Sequence, residues 1–394
     1  MRQGCQVVRS CLAFHLRFLR AWPFGRSIWV HHNAICHVCT DVAVSRAFPG
    51  GLPVKLPVIV KVPNLEVARA ANVGAAWSDA VLQDTESPFD HAPFSRWLHA
   101  YQQQREQLLA FGWQTFVPDS IRRGLTYIRL GSAARGEDLP HSDLDFAIVS
   151  DGTVSFAQAV GPLQQFVRTM TALGFQPCRG NVMGPNPRWF GTPADWYSRI
   201  EQYYAFPDWK SARYLFMAMD ATPLSPCEPW QGITVTVRSL LAASPFFLWQ
   251  MAHLGIRRTV GLHPFGRVKW QAAAEGEFFD VKEQLLAPIV HAIRLLAIAG
   301  DVQAVATMAR VEELTQAKMM EPVFAAAVRD ALWFGWRLRA RLHAQAARSG
   351  TNAERMEKGR MPQAWRDCLQ VHLRTAKRLE QLVCRRFRKP RGAR

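Results

Sequence analysis

Two carboxylates separated by one residue, Asp143 and Asp145, are the side chains of this sequence best suited to chemistry. Side chains two positions apart on a β-strand point to the same face, so these carboxylates would project side by side. Adjacent carboxylates repel each other unless one is protonated or a cation lies between them. Mg²⁺ binds through one or two carboxylates together with substrate phosphates. The pair therefore predicts a Mg²⁺ site.

A turn of small and polar residues precedes the pair and supplies candidates for nucleotide binding. Gly131 has no Cβ, so its backbone can approach a phosphate closely, and the Ser132 hydroxyl can hold an anionic oxygen. Arg135, followed by Gly136, is placed to neutralise phosphate charge. A phosphate-binding turn beside paired metal ligands is typical of metal-assisted nucleotidyl transfer. The alternative is a β-hairpin whose loop happens to be polar.

The flanking segments predict the elements that position these residues. Apolar runs rich in β-branched and aromatic residues predict strands over 125–130 and 146–149. The spacing of apolar residues predicts an amphipathic helix over 94–111 that leads into the first strand. A second helix over 154–173 would pack behind the strand that carries the two carboxylates.

The stretch 131–149, GSAARGEDLPHSDLDFAIV, resembles the signature of the polymerase-β-like nucleotidyltransferase superfamily. Within it, the sequence is similar to the N-terminal domain of protein-PII uridylyltransferases and to related bacterial signal-transduction nucleotidyltransferases, which often carry CBS or cyclic-nucleotide-binding domains. The segment 178–189, with Trp196 after it, resembles this family's Cys-x-Gly…Met…Asn-Pro-x-Trp segment and its downstream Trp. The resemblance covers roughly residues 90 to 388.

The resemblance implies a polymerase-β-like α/β (α+β) domain with a mixed sheet, followed by an α-helical bundle. It also implies a third catalytic and metal-binding carboxylate on a neighbouring strand, for which Asp220 is the best candidate. This residue ends an apolar run, where an unpaired charge would be costly to bury. The alternative is a helix-terminal or turn Asp before Pro223.

Changes in composition along the sequence predict boundaries that divide the chain into four parts. Residues 1–88 form a segment of unclear structure that includes a C-x-x-C pair, interpreted as ordinary thiols. A nucleotidyltransferase domain is expected over 89–232, ending near a proline-rich stretch. A helical substrate-associated domain is expected over 233–388, with a basic tail over 389–394. Helical periodicity within that domain is clearest over the ranges 285–296, 323–334 and 362–387.

Composition limits the class of protein. Apolar residues make up 49% and charged residues 20% of the 394 residues, as expected for a globular chain. The net charge is +17, and from Arg374 to the end nine Lys and Arg residues stand against one acid, so the basic tail could bind nucleic acid, although a solvated terminus is the preferred interpretation. The basic cluster Arg337, Arg339 and Arg341 is likewise interpreted as a solvated helix face, with an Arg in the active-site cleft as the alternative.

Two further features concern the environment of the chain. Eight cysteines without regular spacing do not form a disulfide framework in a chain of this length. The absence of an eighteen-residue apolar run argues against a transmembrane helix. We expect a cytoplasmic protein with no membrane span.

The expected function is Mg²⁺-dependent transfer of a nucleoside monophosphate from a nucleoside triphosphate to a hydroxyl acceptor, with release of pyrophosphate. By resemblance, the acceptor would be a PII-like signalling protein and the activity uridylyltransferase-like. Two alternatives stay open. One is a nucleotidyltransferase that acts on RNA or a small molecule. The other is a catalytically silent nucleotide-binding module, because this chain has Thr222 where the relatives carry an Arg.

Overall fold

A computed structural model of the chain describes five ranges: residues 91–205, 208–256, 259–274, 276–349 and 352–389. The segment 1–88, its C-x-x-C pair and all of the basic tail after residue 389 lie outside the described residues. The described strands, in chain order, are β1 (Leu125–Arg129), β2 (Asp143–Leu144), β3 (Phe146–Ser150), β4 (Gln176–Pro177), β5 (Phe190–Gly191), β6 (Thr222–Pro223), β7 (Gln271–Ala273), β8 (Gly276–Asp280) and β9 (Arg355–Glu357).

The α-helices of the described ranges follow the same chain order. They are α1 (Ala92–Phe116), α2 (Asp119–Arg122), α3 (Gly131–Ala134), α4 (Phe156–Ala172), α5 (Pro193–Ala205), α6 (Trp209–Asp220), α7 (Glu228–Ala242), α8 (Pro245–Gly255), α9 (Ala287–Ala299), α10 (Thr307–Gln316), α11 (Pro322–Ser349) and α12 (Gln363–Arg386). Short 3₁₀ turns cover Pro187–Trp189 and Lys358–Arg360, and a π-helical turn covers Lys282–Leu286.

The first sheet has the strand order β5-β3-β1-β6. Strand β1 pairs antiparallel with β3 and β6, while β3 pairs parallel with β5, so the sheet is mixed. Strand β2, which contains Asp143, pairs parallel with β4. The predicted fold class is confirmed: an α/β domain with a mixed sheet is followed by a helical region.

Helices α1 and α4 pack together behind this sheet through a cluster of aromatic side chains. Trp113 of α1 and Phe166 of α4 meet edge to face at 5.6 Å between ring centroids, and Tyr127 stacks on Phe146 at 4.7 Å. Helix α4 begins with a capping box, in which Ser155 and the residue three positions later satisfy each other's backbone amides. Both helices predicted from apolar spacing are therefore present.

The helical region follows the predicted periodicity, but it contains a sheet that the sequence did not indicate. Strands β7, β8 and β9 form a three-stranded antiparallel sheet. Its central strand buries Phe278 and Phe279. The strands are too short for a period-2 pattern to stand out, and β9 joins β8 from far along the chain. Pairing of this kind depends on tertiary contacts.

The basic cluster in α11 is not a solvated face, so that interpretation is wrong for two of its members. Arg337 is 1% exposed and Arg339 is 5% exposed. The chain returns after α11 and brings Glu354 to Arg339 in a bidentate pair, with N···O distances of 2.7 and 2.5 Å. The guanidinium of Arg337 lies over the ring of Trp365 in α12. Burial is possible because carboxylate and aromatic partners replace water.

No single helix in the described ranges is long and apolar enough to cross a bilayer. Helices α7 and α8 reach that length and apolarity only as a pair, bent by 88°.

Buried neutral histidines predict a pH-dependent stability. Burial first, and then the charge of Arg294, lowers the pKa of His291 to about 3, and its Nε2 lies 3.2 Å from the Met251 carbonyl oxygen. Between that pKa and the unfolded value of about 6.5, only the unfolded chain binds a proton, so acidification destabilises the fold. We expect His291→Gln to reduce the pH dependence of the free energy of unfolding by about 1.4 kcal/mol per pH unit, measured by urea unfolding at neutral and mildly acidic pH.

The exposed His99 provides the matched control, and His99→Gln should leave the slope of stability against pH as it is in the wild type. An unchanged slope in His291→Gln would show that this buried imidazole takes up its proton in the folded state as readily as in the unfolded state.

Candidate active site

The turn after β1 approaches Asp145 more closely than any residue with a side chain would allow. Gly131 begins the short helix α3 with a φ of +60°. A Cβ on this residue would lie 2.5 Å from Asp145 Oδ2. Both the backbone conformation and the space therefore require glycine at this position. After the turn, the Ser132 carbonyl oxygen accepts the amide hydrogens of Arg135 and Glu137, and Gly136 has a φ of +65°.

Asp143 and Asp145 are brought together as the sequence predicts, with a thiol beside them. Asp143 lies in β2, and Asp145 is the single residue between β2 and β3. One ligand atom from each carboxylate and the Sγ of Cys178 all lie within 4.8 Å of one another. Asp145 Oδ1 is buried without a hydrogen-bond partner among the described residues. An acceptor oxygen left in this state is suited to a cation.

The electrostatics of the group favour a hard cation. Burial raises the pKa of Asp145, the like charge of Asp143 adds to the effect, and a hydrogen bond from Cys178 opposes it. Burial, followed by the neighbouring carboxylate, raises the pKa of the Cys178 thiol to about 12. The thiol therefore keeps its proton and acts as a donor to Asp145. The two carboxylates then offer oxygen atoms only, which is the donor set that Mg²⁺ prefers.

Sequence reasoning missed Lys282, which the helical region contributes to this site. Its Nζ lies 3.8 Å from Asp143 Oδ2. Lys282 begins the π-helical turn between β8 and α9, far along the chain from the carboxylates. No signal in the sequence marks it, because a single lysine between two apolar segments is ordinary. Only the packing of the two regions reveals the contact.

A cavity of about 60 Å³ opens beside the carboxylate pair. It lies between α1, β1 and the turn that contains α3. Arg105 of α1 forms an ion pair with Asp138 there and lies over the ring of Phe175 at 4.1 Å. The cavity is lined by both charged and apolar side chains, namely Gln102, Arg105, Glu106, Leu109, Tyr127, Arg129, Ala133, Gly136, Asp138, Asp143, Leu144, Asp145 and Phe175.

The second segment of the resemblance, 178–189, supports the strand that follows the carboxylates. Val182 accepts the amide hydrogen of Phe146 through its carbonyl oxygen, at 3.0 Å. A Cβ on Gly184 would lie 2.7 Å from the side chains of Phe146 and Ile148, so glycine allows this loop to lie flat on β3. Downstream, the indole of Trp196 donates to the Ile148 carbonyl oxygen at 3.2 Å. The segment therefore fixes β3 and, through it, the position of Asp145.

The expectation that the third carboxylate lies on a strand is wrong, because Asp220 is the last residue of helix α6. Asp208 caps the start of this helix by accepting the amide hydrogen of Ser211 at 2.6 Å. Asp220 is fully buried and outside the group formed by the two carboxylates and the thiol. Its role as a metal ligand stays a prediction.

Three guanidinium groups surround the Asp220 carboxylate. Arg294 donates to Oδ2 at 2.9 and 2.5 Å, Arg310 donates to Oδ1 at 2.7 Å, and Arg135 lies 3.4 Å from Oδ2. Burial alone would raise the pKa of Asp220, but these three charges hold it well below its usual range. The carboxylate is therefore ionised and occupied by its partners.

The same network holds the turn of the predicted nucleotide site. Arg135, expected to neutralise phosphate charge, donates from Nε to Glu137 at 2.8 Å as well as approaching Asp220. Glu137 in turn accepts the backbone amide hydrogen of Thr307, the first residue of α10, at 2.9 Å. The turn that begins at Gly131 and Ser132 is thus hydrogen-bonded to the helical region through Glu137.

A mixed sheet with a glycine-serine turn, a strand-end carboxylate pair and a helical region beside it defines a nucleotidyltransferase-type protein. Comparison with protein families agrees with this class. Residues 90–210 match the family described as "Putative nucleotidyltransferase DUF294", and residues 245–387 match "Putative nucleotidyltransferase substrate binding domain". The two matches cover about two thirds of the chain, which belongs to this nucleotidyltransferase family. A search of curated proteins found no match.

The close approach of Gly131 to Asp145 predicts a specific effect of adding one methyl group. Gly131→Ala should move the Asp145 carboxylate and abolish Mn²⁺ binding, in addition to a backbone cost of about 1–2 kcal/mol for the positive φ. Gly152 is the matched control, because its φ is +96° and no atom lies within 4 Å of the added Cβ. Gly152→Ala should show the backbone cost in urea unfolding and retain Mn²⁺ binding. Retained binding in both variants would contradict the proposed contact.

The arginine network predicts a large stability loss on neutralising Asp220. Asp220→Asn removes the buried negative charge that three guanidinium groups share. We therefore expect the free energy of unfolding, measured in urea at neutral pH, to fall by about 3–5 kcal/mol. The depressed pKa contributes stability above the unfolded value of about 3.9 that is lost on acidification. The difference in free energy of unfolding between the wild type and the variant should therefore become smaller as the pH falls below the pKa of the unfolded chain.

The exposed Asp119, paired with Arg122, provides the control, and Asp119→Asn should change stability far less. An Asp220→Asn variant that is as stable as the wild type but binds no Mn²⁺ would favour the metal-ligand role instead.

Proposed function

We propose that the chain is a Mg²⁺-dependent nucleotidyltransferase that moves a nucleoside monophosphate from a nucleoside triphosphate onto a hydroxyl of a signalling protein. The observation that carries this proposal is the pairing of Asp143 and Asp145 against the Gly131 turn, with a buried Asp145 oxygen that accepts no hydrogen bond from any residue the structure describes. The family match supports the reaction class. The resemblance to PII uridylyltransferases supports a uridylyl donor and a PII-like acceptor in the cytoplasm.

Each residue of the site has its own proposed role. Asp143 and Asp145 would hold the metal, which when bound polarises the phosphate oxygens and stabilises the charge that develops on them. Gly131 and Ser132 would position the β- and γ-phosphates through backbone amides and the Ser132 hydroxyl. Lys282 adds a positive charge on the side of Asp143.

The reaction proposed is an in-line displacement at the α-phosphorus of the triphosphate. The acceptor hydroxyl oxygen forms a bond to that phosphorus and releases its proton to water, while the bond between that phosphorus and the pyrophosphate oxygen breaks and pyrophosphate leaves. The protein's contribution is to hold the two reactants in line. By resemblance, Asp220 would be a third catalytic and metal-binding carboxylate. Its three guanidinium partners instead suggest that it positions Arg135 and the turn.

The test measures transfer of label from each of the four α-³²P-labelled ribonucleoside triphosphates to a purified PII-type protein in the presence of Mg²⁺. We expect labelled acceptor and stoichiometric pyrophosphate with one preferred nucleotide. Asp145→Asn should reduce the rate by about 10³-fold or more, because it removes one of two metal-holding carboxylates. Chelation of the metal should have the same effect on the wild type.

Asp151 provides the matched control, because its carboxylate is exposed and accepts hydrogen bonds from Thr153. Asp151→Asn should retain the wild-type rate. Release of pyrophosphate without labelled PII-type protein would point to another acceptor, such as RNA or a small molecule. Nucleotide binding that depends on Mg²⁺ and on Asp145, without any turnover, would identify a catalytically silent module.

A further inference from the structure

The backbone beneath Lys282 is fixed by a dense set of contacts. Gln284 in the same turn donates to the Lys269 carbonyl oxygen at 2.9 Å and accepts the amide hydrogen of Asp280 at 3.0 Å. Gly335 of α11 lies against this turn so closely that a Cβ there would be 2.6 Å from Leu286. The turn is π-helical, a form that occurs mostly as single turns and frequently at functional sites.

The Lys282 side chain extends from this rigid base to the carboxylate pair. Its side chain is 43% exposed, and its Nζ lies 3.8 Å from the partly exposed carboxylate of Asp143. The other charged and titratable groups around the pair are the protonated Cys178 thiol, Arg135 and the residues of the adjoining cavity, Arg105, Glu106, Tyr127, Arg129 and Asp138. Each of these three arginines is already paired with a carboxylate: Arg135 with Glu137, Arg105 with Asp138 and Arg129 with Glu106. Lys282 is therefore the cation among the described residues that is free to move toward or away from the pair.

This contact has a consequence for metal binding. Two neighbouring carboxylates repel each other, and the ammonium group of Lys282 offsets part of that repulsion. A divalent cation bound to Asp143 has the same sign of charge as Lys282, so it must displace the ammonium. An exposed pair of this kind contributes about 0.2–1 kcal/mol, which corresponds to a factor of up to about five in metal affinity.

We propose that Lys282 is a positioning residue that competes with the metal for Asp143 and, once displaced, binds the anionic oxygens of the triphosphate. The metal alone then binds weakly, whereas metal and triphosphate together bind well, because the displaced ammonium gains a new partner. This arrangement makes the Lys282 side chain, which the helical region contributes, part of substrate binding. The triphosphate half of the inference rests on the proposed function, whereas the competition with metal does not.

The test compares two ligands on the purified full chain: Mn²⁺ alone, followed by electron paramagnetic resonance, and Mg²⁺–tripolyphosphate, followed by calorimetry. Tripolyphosphate is chosen because it has the phosphates without a base. We expect Lys282→Gln to bind Mn²⁺ about two- to five-fold more tightly than the wild type. The same variant should bind Mg²⁺–tripolyphosphate at least about five-fold more weakly.

Lys358 is the matched control, because its side chain is also 43% exposed and also pairs with a carboxylate, Glu277, at 2.5 Å. Lys358→Gln should change neither affinity. In an Asp143→Asn background, Lys282→Gln should no longer change the Mn²⁺ affinity, because the shared partner is absent. Lys282→Arg should retain most of the triphosphate affinity, since it retains the charge.

Opposite shifts of the two affinities support the inference. An unchanged Mn²⁺ affinity, a loss of both affinities, or a wild type that binds no Mn²⁺ would overturn it. The outcome is separable from the proposed function. Pyrophosphate release with no shift in Lys282→Gln would retain the function and reject this role for the lysine. Opposite shifts in a chain that never releases pyrophosphate would reject the function and retain the role.

Discussion

The ionised carboxylate of Asp220, buried among three guanidinium groups, is the interaction on which the arrangement of the rest depends. A buried charge is tolerated only when its partners replace the lost hydration. Here the partners come from both regions: Arg135 from the glycine-serine turn, Arg294 from α9 and Arg310 from α10. Loss of the Asp220 carboxylate would leave the buried guanidinium groups of Arg294 and Arg310 without the carboxylate that compensates their charge. The network therefore fixes the turn and the helical region in one register.

The candidate site depends on that register. The turn is held on one side by Arg135 and Glu137, and on the other Gly131 lies directly against Asp145. The helical region, once fixed, brings Lys282 to the outer side of the carboxylate pair. A site made by one domain alone would have two carboxylates and a turn. The structure adds a cation from the second region, so binding at the site and the position of that region are linked.

Local pattern was sufficient where each element carries its own signal. The apolar run over β3, the helix of α4 and the periodicity of α11 were all predicted from the sequence, because a strand or helix with one buried face imposes a fixed spacing. The local sequence pattern did not predict the structure where the interaction partner lies far away along the chain. The sequence pattern indicated a solvated face for Arg337 and Arg339, whereas in the structure Glu354 pairs with Arg339 and Trp365 packs against Arg337. The sheet that contains β9 was missed for the same reason.

The sequence by itself determined the chemistry that the site offers: two carboxylates one residue apart, a glycine that allows close approach, and the family to which these belong. These are properties of short segments, in which spacing along the chain determines spacing in three dimensions. Tertiary structure alone decided which charged groups lie beside Asp220 and Lys282. The sequence neighbours of these two residues do not reveal those partners, because the energy of a charged side chain depends on which opposite charges the fold places beside it.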